Sequence, residues 1–285
     1  MQARFPVRLA LLALAAIAFA GCQESGFDES KETVRPLKVQ HVLGETKVPG
    51  QARHPMTLTA DTLDDTLALQ VTPARAALPG AKLPTYLRGT GRGVSTMQPV
   101  TAPDFAAVEA VHPDLILGDS TPDGRGGNGP LYDRLSRIAP TVMIATGGDQ
   151  WRLNVRLVGE GLGRTNDAEQ LLIDYDHQAF LARKAIRAER GGSAAKPRVA
   201  VALATDSGIR YAPRRSFAGT LLADAGVKQV RGAGDADVTL LAQAPGATAH
   251  LDGRFTRVAP SLWWGPGGSI AAKTALAELV SALKP

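Results

Sequence analysis

The sequence predicts an α/β protein of two parallel-sheet lobes joined by one long helix, the second lobe trimmed. Three observations predict it. Short apolar runs alternate with helix-period stretches from residue 34 onward, the pattern of sheets covered on both faces. Between residues 167 and 189, Ala168, Leu171, Leu172, Tyr175, Ala179, Ala182, Ala185 and Ile186 recur at three- and four-residue intervals, giving one long amphipathic helix. Behind Gly191-Gly192 the strand-and-helix alternation begins again.

Taken in order, residues 1–21 read as a targeting signal. Arg4 and Arg8 precede the apolar run 9–20, which has the length of a secretory h-region and is short for a membrane span. The run ends in Phe19-Ala20-Gly21-Cys22, and small residues before a cysteine suit a lipoprotein signal peptidase, although Phe19 stands where Leu is usual. Cys22 is the only cysteine among 285 residues, so it has no disulfide partner within the chain and reads as the lipid anchor. Plain secretion with a chance cysteine is the alternative. Residues 22–36 are polar and Glu/Ser/Lys-rich, a flexible tether.

Residues 37–150 form the first lobe. Residues 56–59 read as a strand and 60–69 as a helix capped by Asp61 or Thr62. A short helix over 105–111 leads to the buried strand 113–118, and Pro130 opens a helix over 131–138 before the strand 141–145. Residues 151–192 hold the inter-lobe helix. The second lobe, 193–285, has the strand 198–203, the helix 217–225 closed by Gly226, the strand 238–241 and a final helix over 270–283.

Composition is that of a globular chain: 44% hydrophobic, 21% charged and 5% aromatic. The formal net charge of +5 comes in short arginine clusters without the interleaved aromatics of nucleic-acid binders, which favours an anionic small ligand or an acidic membrane surface.

Six segments carry a resemblance: MTLTADTLDDTLALQV (56–71), AVEAVHPDLILGDS (107–120), LYDRLSRIAPTVM (131–143), LGRTNDAEQLLIDYD (162–176), RYAPRRSFAGTLLADAGV (210–227) and RVAPSLWWGPGG (257–268). In this order and spacing they resemble the helix-hinged periplasmic binding proteins for ferric siderophores, haem and cobalamin, the substrate-binding lipoproteins of ABC importers. The resemblance implies a rigid clamshell that holds one ligand in its cleft, docks its two rims on permease subunits and makes or breaks no bond. It also implies one rim acid per lobe for docking: Asp64 stands at the first position, while Ala223 stands at the second with Asp224 beside it. The interval 241–258 is shorter than the family pattern, hence the trimmed second lobe.

Within that frame the ligand candidates are arginines and aromatics. Tyr86, Arg88 and Arg92 lie in a glycine-rich segment of the first lobe; Arg210 and Tyr211, with Arg214 and Arg215 after them, lie in the second. Arg125 sits in the glycine-rich stretch 124–129. Guanidinium forks and tyrosine hydroxyls suit an oxygen-rich, anionic chelate. Trp151 and Trp263, with Trp264 beside it, offer flat walls, and each has the alternative of a core residue. The expected ligand is therefore a ferric siderophore, with haem or cobalamin open, and the expected protein a monomer without resident cofactor or nucleic-acid partner. A structural or adaptor lipoprotein that has lost transport is the other reading.

Three further motifs are weaker. Residues 124–129 match GxGxxG, but 119–123 separate them from the strand, so a helix N-terminus would not face a pyrophosphate. Gly118-Asp119-Ser120 with Asp174 and His177 echoes a serine hydrolase, yet His177 falls on the long helix. His41, His54, His112 and His250 lack ligand spacing for a metal. The anchor is tested by Cys22→Ser, which is expected to shift the protein from the detergent phase to the aqueous phase or leave its signal uncleaved; equal partitioning with both chains cleaved sinks it.

Overall fold

A computed structural model describes residues 35–99, 105–120, 129–189, 191–192, 195–247, 251 and 253–284. Cys22 and Arg125 lie outside them, as do the signal, most of the tether and residues 121–128.

The described chain opens with an antiparallel hairpin, β1 (Leu37–His41) and β2 (Gly44–Val48). Its buried Val39 and Val48 face the core, and the Thr46 hydroxyl donates to the Thr141 carbonyl at 2.8 Å, seating the hairpin on the first sheet. That sheet contains β3 (Pro55–Thr57), β4 (Arg75–Ala77), β5 (Thr96–Met97), β6 (Leu115–Asp119) and β7 (Thr141–Ile144) in the order β5-β4-β3-β6-β7, all parallel. The unbroken apolar run Leu115-Ile116-Leu117 is fully buried, as a central parallel strand covered on both faces requires. Helices α1 (Ala60–Ala68), α2 (Phe105–Glu109) and α3 (Gly129–Leu135) complete the lobe.

Two helices follow, α4 (Trp151–Leu162) and α5 (Thr165–Glu189). The first was hidden within the span read as one inter-lobe helix. Gly163 ends α4 in the left-handed region (φ 71°), where a side chain would also overlap the Gly50 carbonyl. At Gly159 a Cβ would overlap that of Ala168, so the two helices meet nearly backbone to backbone.

In the second sheet β10 (Lys228–Gln229), β8 (Arg198–Thr205), β11 (Val238–Gln243) and β12 (Phe255–Arg257) run parallel in that order. A further strand, β9 (Gly208–Tyr211), returns antiparallel along the last residues of β8, with Ala202 opposite Tyr211 and Leu203 opposite Arg210. Helices α6 (Phe217–Asp224), α7 (Pro260–Trp263) and α8 (Ser269–Ala282) pack beside it. Parallel neighbours usually need a helical crossover. The connection from β11 to β12, residues 244–254, has no helix among its described residues.

One apolar cluster runs through both lobes, taking Leu115, Leu117 and Val142 from the first sheet, Val155 and Val158 from α4, Val199, Val201 and Leu240 from the second sheet, and Ala272 and Leu276 from α8. Trp151 is its hub. Its ring meets Tyr175 of α5 edge-on at 4.7 Å and Phe217 of α6 at 6.1 Å, and it is 1% exposed. Trp151→Ala is expected to cost about 3–5 kcal/mol, read as a lower urea midpoint; a loss under about 1 kcal/mol would show that the hub is dispensable.

Candidate functional site

Three segments of the first lobe meet the second. The turn Thr85–Leu87 packs on α7 and α8, and the turn Gly148–Gln150 packs on the start of α6. Gly148 has no room for a Cβ because Phe217 occupies that space. The third contact is α1 against α8, and it is polar. Asp64 accepts from the N–H of Ile270 (Oδ1, 2.7 Å) and of Ala271 (Oδ2, 2.9 Å), and Asp65 accepts from the N–H of Ser269 at 2.9 Å. The first amides of a helix have no partner within it, so carboxylates from another element can fill the role of a cap. A Cβ on Gly268 would overlap the Asp64 side chain.

Burial dominates the chemistry of this cluster. It pushes the Asp64 carboxyl up to about 7, against the lowering effect of the Ile270 and Ala271 amides and the Tyr86 hydroxyl. Asp61 rises to about 6, again mainly by burial, with the Asp119 charge adding and hydrogen bonds from Thr59 and the Thr62 amide opposing. Asp65 is held well above the usual carboxylate range by burial and by the Asp64 charge. Tyr86 is pushed up as well, first by burial and then by Asp64.

These contacts relocate several candidates. Asp64, expected on a permease-facing rim, is 0% exposed and capped onto α8. Asp224, the other docking candidate, accepts from Arg152 at 2.9 Å and from the Tyr175 hydroxyl at 2.9 Å, tying α6 to α4 and α5. Trp151 and Trp263 are core residues, each 1% exposed, so neither is a cleft wall. The Trp263 indole N–H donates to Glu278 at 2.8 Å. Tyr86 is half-buried and points at Asp64, and the Tyr211 hydroxyl is used, accepting from the Ala233 amide at 3.1 Å.

What remains outside is cationic. Arg88, Arg92 and Arg210 are exposed, Arg88 and Arg92 following the turn that abuts α7. The Arg210 guanidinium lies over the Trp264 ring, 5.9 Å from its centroid. Trp264 is half-buried, and its indole nitrogen has no hydrogen-bond partner among the described residues. The sequence offers Trp264 as a flat wall together with Trp151 and Trp263, and of the three it alone stays outside the core, since consecutive helical residues point in different directions. Arg215 reaches across to Asp149 at 3.8 Å, a weak exposed pair joining the lobes.

The catalytic and metal alternatives find little geometry. The Ser120 hydroxyl accepts from the Thr146 amide at 3.2 Å, and among the described residues no hydrogen bond joins it to His177, which is exposed on α5. Among the described residues no three His, Cys, Asp or Glu side chains are placed to hold a metal ion.

The sequence profile of the family described as Periplasmic binding protein matches residues 57–239, and the chain belongs to that family. Among curated relatives it is 24% identical over 169 residues to the "Probable siderophore-binding lipoprotein YfiY" of Bacillus subtilis, covering 58% of this chain and 50% of that one. It is 36% identical over 87 residues to the ferric enterobactin-binding periplasmic protein FepB of Escherichia coli O6:H1, covering 30% of this chain and 26% of that one. The chain thus spans half or less of the length of these two relatives. Among solved structures, Staphylococcus aureus SirA complexed with staphyloferrin B superposes with a TM-score of 0.71 at 21% identity, over 87% of this chain and 98% of that one. The petrobactin-binding protein YclQ of Bacillus subtilis gives 0.70 at 18% identity, over 88% and 99%. At these identities the likeness concerns the fold, two α/β lobes about a helical backbone.

A pH dependence follows from the acid cluster. Its folded carboxyls take up protons more readily than unfolded ones, so its stabilising contribution is full below about pH 4 and is lost as pH rises through about 6 for Asp61 and about 7 for Asp64. Asp65→Asn keeps an acceptor for Ser269 and places its amide where Oδ2 has no partner. This variant is expected to lose less stability than the parent between about pH 5 and 8. Asp64→Ala is expected to lose about 2–3 kcal/mol throughout, since two buried amides are orphaned. Parallel urea curves for parent and Asp65→Asn across that range would refute the titration.

Proposed function

We propose that the protein is an extracytoplasmic receptor that captures a ferric siderophore and presents it to an ABC importer, held at the membrane through a lipidated Cys22 and acting as a monomer. The observation that carries the reading is the exposed cationic and aromatic surface at the lobe junction, Arg210 over Trp264 with Arg88 and Arg92 near the facing turn. Family membership and the siderophore-binding relatives support it.

The chemistry follows from those groups. A ferric siderophore is wide, oxygen-rich and often anionic. Guanidinium forks donate paired hydrogen bonds to its oxygens and remain charged at any physiological pH. The half-buried Trp264 ring beneath Arg210 offers an apolar face. Tyr86, engaged with Asp64, positions the turn that carries Arg88 and stays out of the ligand shell. Capture and release complete the function on this reading.

A second reading, a structural or adaptor lipoprotein without transport, draws on one observation: Asp64 and Asp224, the two docking candidates, both serve internal contacts. Haem and cobalamin are alternative cargoes for the same surface. Fluorescence titration with ferric siderophores, haem and cobalamin separates these. Quenching by a ferric siderophore is expected, largely lost in Trp264→Phe and kept in Trp263→Phe. Arg210→Ala is expected to weaken affinity by about ten- to a hundredfold, as loss of one or two charge-assisted hydrogen bonds implies. Absence of quenching by every ferric siderophore, or parental affinity in both Arg88→Ala and Arg210→Ala, overturns the proposal.

A further inference from the structure

The arginines that follow β9 do not stay together. Arg210 lies opposite Leu203, near the end of β8, but the antiparallel course of β9 carries Arg214 back toward the start of β8. There β10 pairs with Arg198 and Val199. The level of Lys228 is five residues below that of Arg210 along β8, which is about 16 Å at strand rise. Two adjoining cavities open on this side of the lobe, about 470 Å³ and about 430 Å³, sharing Arg214, Lys228 and Gln229.

Their lining is strongly one-signed. Lys196, Arg214, Lys228 and Arg231 contribute four cations against one acid, Asp235. All four cations are exposed, and none of their side chains is hydrogen-bonded or ion-paired to another described residue. By contrast, Arg198 and Arg257 of the same lobe have partners, Asp237 at 3.0 Å and the Gln243 side-chain carbonyl at 2.7 Å. The walls are also fixed. Gln229 donates to the Ala212 carbonyl at 2.8 Å, binding β10 to the loop that carries Arg214. Ser216 caps α6 by accepting from the Gly219 amide at 3.2 Å, and a Cβ on Gly219 would overlap the Arg214 carbonyl. The fixed backbone thus carries several cations without internal partners around one hollow, a concentration of positive potential suited to an anion. The arrangement concentrates charge in a compact hollow, and two ammonium and two guanidinium groups suit an acceptor with oxygens on several sides.

We infer that this groove at the base of the second lobe is a binding site for a polyvalent phosphate group, separate from the siderophore surface. Lys228 and Lys196 act as point charges, Arg214 and Arg231 as forks, and Asp235 limits how far the anion extends beneath Arg231.

Isothermal titration of the full chain with inorganic tripolyphosphate at low salt tests it. Saturable binding is expected, weakened by added salt because the groups are exposed. Arg214→Glu with Lys228→Glu is expected to weaken it at least about tenfold, the milder Lys196→Gln with Lys228→Gln to weaken it less, and both to leave siderophore quenching at the parental level. Arg210→Ala is expected to do the reverse, so failure of this site and failure of the siderophore site are distinguishable. Vesicles containing phosphatidic acid, whose phosphomonoester carries up to two charges, compared with pure phosphatidylcholine, identify the source. Recruitment that depends on the acidic lipid and on Arg214 and Lys228 assigns a lipid head group; tripolyphosphate binding without it assigns a soluble phosphate ester. No tripolyphosphate binding at low salt, binding unchanged in both double variants, or tighter binding of polyglutamate overturns the inference.

Discussion

The structure depends on a helix whose N-terminus is capped by another lobe. Three consecutive amides at the start of α8, those of Ser269, Ile270 and Ala271, are taken by Asp65 and Asp64 of α1, about two hundred residues earlier in the chain. Such amides buried without acceptors would each cost on the order of 1–3 kcal/mol. The carboxylates in turn would be costly to bury without donors. Each side makes the other tolerable, and the requirement fixes the angle at which the lobes meet. Gly268 records the fit, since any side chain there would displace Asp64.

From that contact much of the junction follows. Holding the start of α8 also holds the Gly265–Gly268 approach and, before it, α7 with its two tryptophans. Trp263 turns inward, where its indole N–H finds Glu278; Trp264 faces Arg210. Tyr86, drawn to Asp64, fixes the turn against α7 and α8. On the other side of the interface Phe217 fills the space that Gly148 and Gly267 leave open, and it meets Trp151 edge-on. The lobes consequently share one apolar core, unlike two bodies connected only by a hinge.

The elements that were legible in the sequence are those whose hydrophobic pattern is self-sufficient. Residues 115–117 are apolar without interruption because both faces of β6 are covered, and the period of α5 shows because only one stripe of it is buried. Helix α4 escaped notice for the opposite reason. Gly159, Gly161 and Asn154 are buried in it, the glycines to allow close approach and Asn154 to bond Ala145 at both its amide and carbonyl, so its apolar stripe is interrupted. The short strands β4, β5, β9 and β10 carry too few residues for any period. At the site, charge type was legible and placement was not. Asp64 reads as a surface acid in an amphipathic helix, and only the distant amides of α8 explain its burial. Likewise, no local signal says that Arg210 and Arg214 part company; that depends on β9 running antiparallel to β8.

The distribution of charge is the last consequence. Asp61, Asp64 and Asp65 are buried, and burial favours their protonated forms, so three of the chain's acids are withdrawn from the surface. Asp224 is spent on Arg152 and Tyr175. A sequence with a formal charge of only +5 therefore presents a more basic exterior than that number implies. The exposed arginines at the lobe junction and the unpaired cations beside β10 both belong to this excess. Because the field of such clusters extends over a Debye length, they raise the local concentration of anions before any specific contact is made. The acids that lock the lobes together thus also leave the surface poised for negatively charged ligands, linking the stability of the junction to the chemistry of what it can hold.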